Sequence, residues 1–238
     1  MSYKNFLFVF ITVLLSFQAF AREYSPGVDR DYPKKLLWGD THLHSNESAD
    51  AYTIGNSNLT PSDAFRFARG EEVISEKGVR AKLRVPLDFL LVSDHATFLG
   101  MFKRIEERDP KILKTPLGKR WRKYMDDDDP TLFTEFVDGL NGNLDETFSK
   151  EDYEPIWKEI TENVDKFNEP GIFTAFIGYE WTPAPTGDNL HRVVVFKDDA
   201  KLAQKIIPFS AIDSNKPEDL WNFLKDYNSA TGGEAISI

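Results

Sequence analysis

The chain has 238 residues, 41% of them hydrophobic, and no cysteine; it is long enough to bury a sizeable core, while disulfides and thiolate metal ligands are excluded. Its formal net charge of −10 repels phosphate backbones and argues against a nucleic-acid binder. No internal repeat or long low-complexity stretch interrupts it, so one domain of ordinary size is expected.

Residues 1–21 have the three-part layout of a secretory signal peptide: Lys4, an apolar stretch over residues 6–17, and Ala19-Phe20-Ala21 as a cleavage signal. The apolar run is too short and badly flanked for a membrane span. Cleavage after Ala21 is expected, giving a secreted or periplasmic protein that starts at Arg22 and is not stably inserted in a membrane. Losing Lys4 and no acidic residue takes the net charge from −10 to −11.

Residues 36–40 form a short apolar run, consistent with a buried strand entering Asp40-Thr41-His42-Leu43-His44. A helix is expected to start at Thr60, with Pro61 at its first position and Asp63 three residues after the cap, and to stop at Gly70. Residues 87–93 are apolar nearly throughout, as in a parallel strand covered on both faces. The charged stretch over about residues 102–170 reads as a mostly helical insertion packed on the scaffold and carrying no obvious chemistry. Within it, Ser149 and Asp152 cap a helix whose Ile156, Ile160, Val164 and Phe167 share one face. Its basic cluster (Lys114, Lys119, Arg120, Arg122, Lys123) runs into four aspartates, 126–129, and reads as a solvated helix and loop. Strands are expected at residues 172–181 and 192–197, a helix from Ser214 or Asn215 with Pro217, and a last strand from Glu234. Strand and helix in alternation predict an α/β fold with a parallel sheet. The last strand is followed by no turn, helix or polar tail, and a complete barrel usually needs about 250 residues; the chain is expected to be cut short at its C-terminus.

All four histidines fall at strand ends beside acidic residues: His42 and His44, His95 after Asp94, and His191 before Arg192. Imidazole is the commonest metal-binding side chain. His42 and His44, two apart on a strand, point to one face together with Asp40. Asp94-His95 ends the second strand and Glu180 lies near the end of the third, with Gly178 expected to leave room beside it. Such oxygen and nitrogen donors on one rim suit Zn, Mn or Fe. Asp94 either ligates directly or orients a ligand histidine by a hydrogen bond. Scattered core and surface histidines are the bland alternative.

The order of these motifs resembles the PHP (polymerase and histidinol phosphatase) superfamily and, more specifically, the DUF3604 family. The matching stretches are WGDTHLHS at 38–45, TPSDAFRFARG at 60–70, PLDFLLVSDH at 86–95, GYEW at 178–181 and NLHR at 189–192. The resemblance spans roughly residues 36–238 and implies a distorted (β/α)7 TIM-type barrel, incomplete at its C-terminus, with a site for two or three divalent metals. It places His42 and His44 on one metal and Glu180 bridging two, with His191 on the second, His95 on a third, and Asp50 as a further ligand of the third. PHP sites also draw a later histidine and an Asp-x-His pair, and no histidine follows His191.

The implied activity is hydrolysis of a phosphate ester or similar small anionic substrate by a metal-activated water. Asp94 would position that water or shuttle a proton, and Arg192 would hold the anionic group or sit in a salt bridge on the rim. The alternative is a non-catalytic metal- or ligand-binding envelope module on a hydrolase scaffold.

Overall fold

Five strands, Gly39–Leu43 (β1), Phe89–Val92 (β4), Thr174–Trp181 (β5), Arg192–Phe196 (β6) and Ala235–Ser237 (β7), hydrogen-bond in that order to make the main sheet of the computed structural model, which describes residues 35–238. The expected signal peptide and its cleavage site lie outside the described residues. Residues Leu37–Ile238 form one compact unit. In chain order this unit contains β1 (Gly39–Leu43), α1 (Ala49–Ile54), α2 (Pro61–Ala68), β2 (Val73–Ile74), β3 (Arg80–Ala81), β4 (Phe89–Val92), α3 (Met101–Glu106), α4 (Pro116–Asp126), α5 (Thr131–Leu140), α6 (Lys150–Phe167), β5 (Thr174–Trp181), β6 (Arg192–Phe196), α7 (Ala200–Ala203), α8 (Pro217–Thr231) and β7 (Ala235–Ser237). The fold is mixed α/β. No helix among the described residues is long and apolar enough to cross a membrane.

The expected all-parallel sheet fails at one strand. β1, β4 and β5 are parallel, but β6 runs antiparallel to β5, and β7 runs antiparallel to β6. The loop over residues 182–191 explains the reversal, because a parallel crossover needs a dozen or more residues and this connection is shorter. β7 follows a long connection through α8 and points the same way as β1, β4 and β5. Among the described residues the sheet is open, with β1 at one edge and β7 at the other, and no barrel is closed.

Helix starts follow local chemistry. Thr60 and Asp63 form a reciprocal capping box at α2 with Pro61 behind the cap, and Ser149 and Asp152 do the same at α6. Ile156, Ile160 and Val164 bury the α6 face towards the sheet, and Trp157 donates its indole N–H to the Ala203 carbonyl at 3.0 Å. Phe65 of α2 stacks on Phe167 of α6 with ring centroids 5.2 Å apart, tying the two helices together.

The 102–170 stretch is mostly helical, as expected. It makes up most of the crossover from β4 to β5, whose aromatic residues Phe98, Phe102, Trp121, Phe136 and Phe148 pack edge-on and tilted against one another inside the core. Its surface is laced with ion pairs, including Arg122 with Asp126 and Lys123 with Asp127 one turn later, as the solvated-helix reading requires.

Gly178 has a different role from the one its position suggested. A Cβ there would sit 2.1 Å from the Val194 carbonyl oxygen and 2.6 Å from Leu91 Cδ1. The glycine lets β6 and the β4 side chains close on β5; it does not leave space beside Glu180.

Candidate metal centre

Strand register brings the motif residues to one level. β1 and β4 pair Asp40 with Leu90 and Leu43 with Val92, with an irregularity between Asp40 and Leu43. Beyond β4, His95 bridges to Glu180 in parallel fashion, and the Ala96 and Glu180 amides donate to the Glu180 and Asp94 carbonyls. His44, His95 and Glu180 thus stand at the C-terminal ends of three adjacent parallel strands, where α/β proteins place their ligand sites. The antiparallel return of β6 begins at the same end and delivers His191 there.

Glu180 is the centre of the cluster and is fully buried. Its Oε1 lies 3.2 Å from His42 Nε2 and in close contact with His191 Nδ1. Its Oε2 lies 2.9 Å from His44 Nε2 and 3.2 Å from His95 Nδ1. Asp50 faces the far side of the same imidazoles, with Oδ2 3.0 Å from His44 Nδ1 and 3.5 Å from His95 Nε2. Two overlapping ligand groups result, His42–His44–Glu180 and His44–Asp50–His95, each with its donor atoms within 4.8 Å of one another.

The donor set fits a divalent cation on two counts. Among the described residues, His44 Nε2, His95 Nδ1 and Glu180 Oε2 are buried with no partner in hydrogen-bonding geometry, although both nitrogens face the carboxylate oxygen at 2.9 and 3.2 Å. A buried polar atom left unsatisfied costs roughly 1–3 kcal/mol, and a cation between them removes that cost. Their separations are also right, since two ligands held at about 2.1 Å and at right angles on one ion lie about 3.0 Å apart.

His44 belongs to both groups, yet a neutral imidazole offers a lone pair on only one nitrogen. The surroundings favour ligation through Nε2. Nδ1 lies within 3.1 Å of both Asp50 oxygens, and Asp50 is itself held by Ser48 Oγ and the Ala51 amide, each at 2.6 Å. Asp50 in that arrangement accepts the Nδ1–H and fixes the ring, the usual carboxylate behind a ligand histidine.

Charge follows the same geometry. Burial opposes ionisation of Glu180 and Asp50, but the histidines facing them outweigh it and hold both carboxyls well below the usual range. Burial would lower His44; Asp50 and Glu180 overcome it and raise the imidazole to about 10. Ligation needs a neutral imidazole, so a cation here competes with the His44 proton.

The structure brings together His42, His44, Asp50, His95, Glu180 and His191, and leaves the two candidate catalytic residues outside the cluster. Asp94 is buried and gives both oxygens to Ser45, accepting from its amide at 2.5 Å and its hydroxyl at 2.7 Å. Burial pushes the Asp94 carboxyl up to about 6. Arg192 donates to the His191 carbonyl at 2.7 Å on the exposed side and, among the described residues, makes no salt bridge. Asp40 accepts from the His42 amide at 2.8 Å and so shapes the strand end.

The loop over residues 45–48 is the part the motifs did not reveal. All four of its residues are buried. Ser48 Oγ donates to Asp50, accepts from the His95 amide at 3.1 Å and lies 3.3 Å from His44 Nδ1, so one hydroxyl touches three of the candidate ligand positions. Glu47 turns the other way and meets Lys103 Nζ at 2.6 Å and Arg104 Nη1 at 3.0 Å, both on α3. The helical stretch thus anchors the loop that carries the candidate site. Position was the available signal: a polar, serine-flanked tetrapeptide directly after His-x-His.

No curated protein and no solved structure matches the chain. The model of DUF3604, described as a protein of unknown function, matches residues 31–238, and the chain belongs to that family.

Proposed function

We propose that this protein is an exported hydrolase of PHP type, binding two or three divalent metals (Zn, Mn or Fe) and acting on a small phosphate ester or a related anionic ester. The observation that carries the reading is the convergence of three buried ligand atoms, His44 Nε2 and His95 Nδ1 on Glu180 Oε2, at the C-terminal ends of β1, β4 and β5. A PHP-type barrel is part of the proposal, supported by that placement of donors on parallel strand ends. Export is supported by the layout of residues 1–21.

His42, His44, His95, His191 and Glu180 would hold the metals. Cations there supply positive charge that lowers the pKa of water and favours the charge developing on an ester oxygen. The chain's own residues supply order. Asp50 and Ser48 orient the His44 ring, and Glu180 presents both oxygens from a strand that cannot move without breaking its pairing to β4 and β6. His42 and His191 have side chains 44% and 49% exposed, so the cluster is open on their side and substrate approaches there. Arg192, anchored beside His191, stands on that side to meet an anionic group. Asp94 holds the turn after β1 through Ser45; with both oxygens engaged, we assign it positioning and not proton transfer.

The test is hydrolysis of 4-nitrophenyl phosphate, bis(4-nitrophenyl) phosphate and 4-nitrophenyl sulfate by purified protein reloaded with Zn, Mn or Fe(II). Turnover that chelation abolishes and Glu180→Gln removes is the expected result. Metal retained with no turnover on any ester would replace the hydrolase with a metal-binding envelope module.

A further inference from the structure

A cavity of about 250 Å³ opens beside the metal centre, between the end of β1, the start of α2 and the β2–β3 hairpin. His44, one of the clustered histidines, is among its lining residues. The rest is almost wholly carbon, from Leu43, Leu59, Ala64, Phe67 and Val73.

Most of the polar groups on its rim are already committed. Thr60 and Asp63 satisfy each other in the α2 capping box, Asn56 Oδ1 accepts from the Leu59 amide at 3.0 Å, and the Ser45 hydroxyl is spent on Asp94. An occupant would find contact surface there but few hydrogen bonds. A charged or sugar-like group would lose its hydration without replacement, whereas an apolar group gains from entering. The size is adequate, since an apolar cavity of about 150 Å³ already admits benzene.

We infer that this cavity is a specificity pocket for the apolar substituent of the substrate, so that the ester cleaved is a short alkyl or aryl ester whose anionic head sits at the His/Glu cluster. The inference rests on the hydrolase reading above. It adds that recognition comes from both ends of the substrate: charge at the metals and carbon in the pocket. The hairpin β2–β3 closes one wall through Val73 and Ala81, which gives that small sheet a function in selection.

The experiment is calorimetric titration of the metal-loaded full chain with methyl-, butyl-, hexyl- and octylphosphonate, which mimic the ester and are not hydrolysed. Burying one methylene is worth about fourfold in affinity. Affinity should therefore climb by roughly that factor per methylene and level off once the pocket is full. Ala64→Phe, which fills the pocket from α2, should return hexylphosphonate to the affinity of methylphosphonate. The wild-type series stands as a test even if that variant does not fold.

Equal affinity across the series, with the head group still bound, would overturn the pocket and leave the hydrolase reading standing. No binding of any phosphonate would overturn both, and the metal content of the same sample would show whether metal binding or anion binding had failed. A rise with chain length that survives Ala64→Phe, in protein with an unchanged melting temperature, would place the apolar contact elsewhere and overturn the assignment.

Discussion

Replacing Glu47 by Gln leaves two cations facing a neutral amide inside the loop that carries the site. Glu47 is 3% exposed, and its carboxylate accepts from Lys103 Nζ at 2.6 Å and from Arg104 Nη1 at 3.0 and 3.3 Å. Its backbone carbonyl accepts from the Gly100 amide at 2.7 Å, where the chain takes a left-handed turn (φ 68°) into α3. A side chain at Gly100 would come within 2.5 Å of Glu47 Oε2, so the contact is tight on every side. Removing one partner of a buried pair costs about 3–5 kcal/mol, mostly as the penalty of the charge left behind. Two features place Glu47→Gln at the low end of that range: Lys103 has partial access to solvent, and Arg104 keeps Glu159 at 2.8 Å. We expect a loss of about 3 kcal/mol. Urea unfolding followed by tryptophan fluorescence reads it directly, because Trp121 and Trp157 are buried in the core and should report loss of packing. Double replacement of Glu47 by Leu and Lys103 by Met should recover part of the loss. A cost below about 1 kcal/mol, the value of a surface pair, would refute the view that α3 clamps the site loop.

Ser48→Ala removes the hydroxyl that touches Asp50, His44 and the His95 amide; metal affinity should fall roughly tenfold to a hundredfold with little change in fold, as competition with a chromophoric chelator would show. Gly178→Ala places a methyl against the Val194 carbonyl, and thermal unfolding should show a loss of at least about 2 kcal/mol. Asp94 makes stability depend on pH. Its carboxyl is pushed up to about 6 in the folded chain against roughly 3.9 unfolded, so the folded state binds the extra proton between those values. Its contribution is therefore full below pH 4 and lost as pH rises through about 6, an effect of up to about 3 kcal/mol. Asp94→Asn should flatten the urea-unfolding profile over that window, and an unchanged slope would contradict the burial argument.

Much of the site was legible because its residues sit in short motifs with few other roles open to them. His42 and His44 share a face by strand periodicity alone, and the capping boxes at Thr60 and Ser149 announce their helices without help from packing. Glu180 could be placed because β5 is continuous and apolar up to it. Other parts depend on information a single strand does not carry. The direction of β6 is set by the shortness of the 182–191 loop, which the sequence displays but which the alternating strand–helix pattern outweighed. The α1 helix escaped notice because Ala49–Ile54 is only six residues long and its Ser48 cap makes no side-chain cap hydrogen bond to the helix. Asp50, expected as a metal ligand, lies in that helix's first turn. The Glu47 clamp joins residues more than fifty positions apart, and nothing in local spacing marks Lys103 and Arg104 as its partners. Asp94 drew attention by standing next to His95, but its side chain points to Ser45, a difference of face that adjacency along a strand end hides.

The most direct test of the metal centre is elemental analysis of purified protein, stripped with chelator and then reloaded with Zn, Mn or Fe(II), beside Glu180→Gln treated in the same way. Among the described residues Glu180 alone touches all four histidines, so the substitution takes one shared ligand from every part of the cluster. Tightly held metal in the wild-type chain, lost or strongly reduced in Glu180→Gln, is the predicted result. A wild-type chain that retains no transition metal after reloading, or a variant that retains as much, would contradict the assignment of this cluster as a metal site.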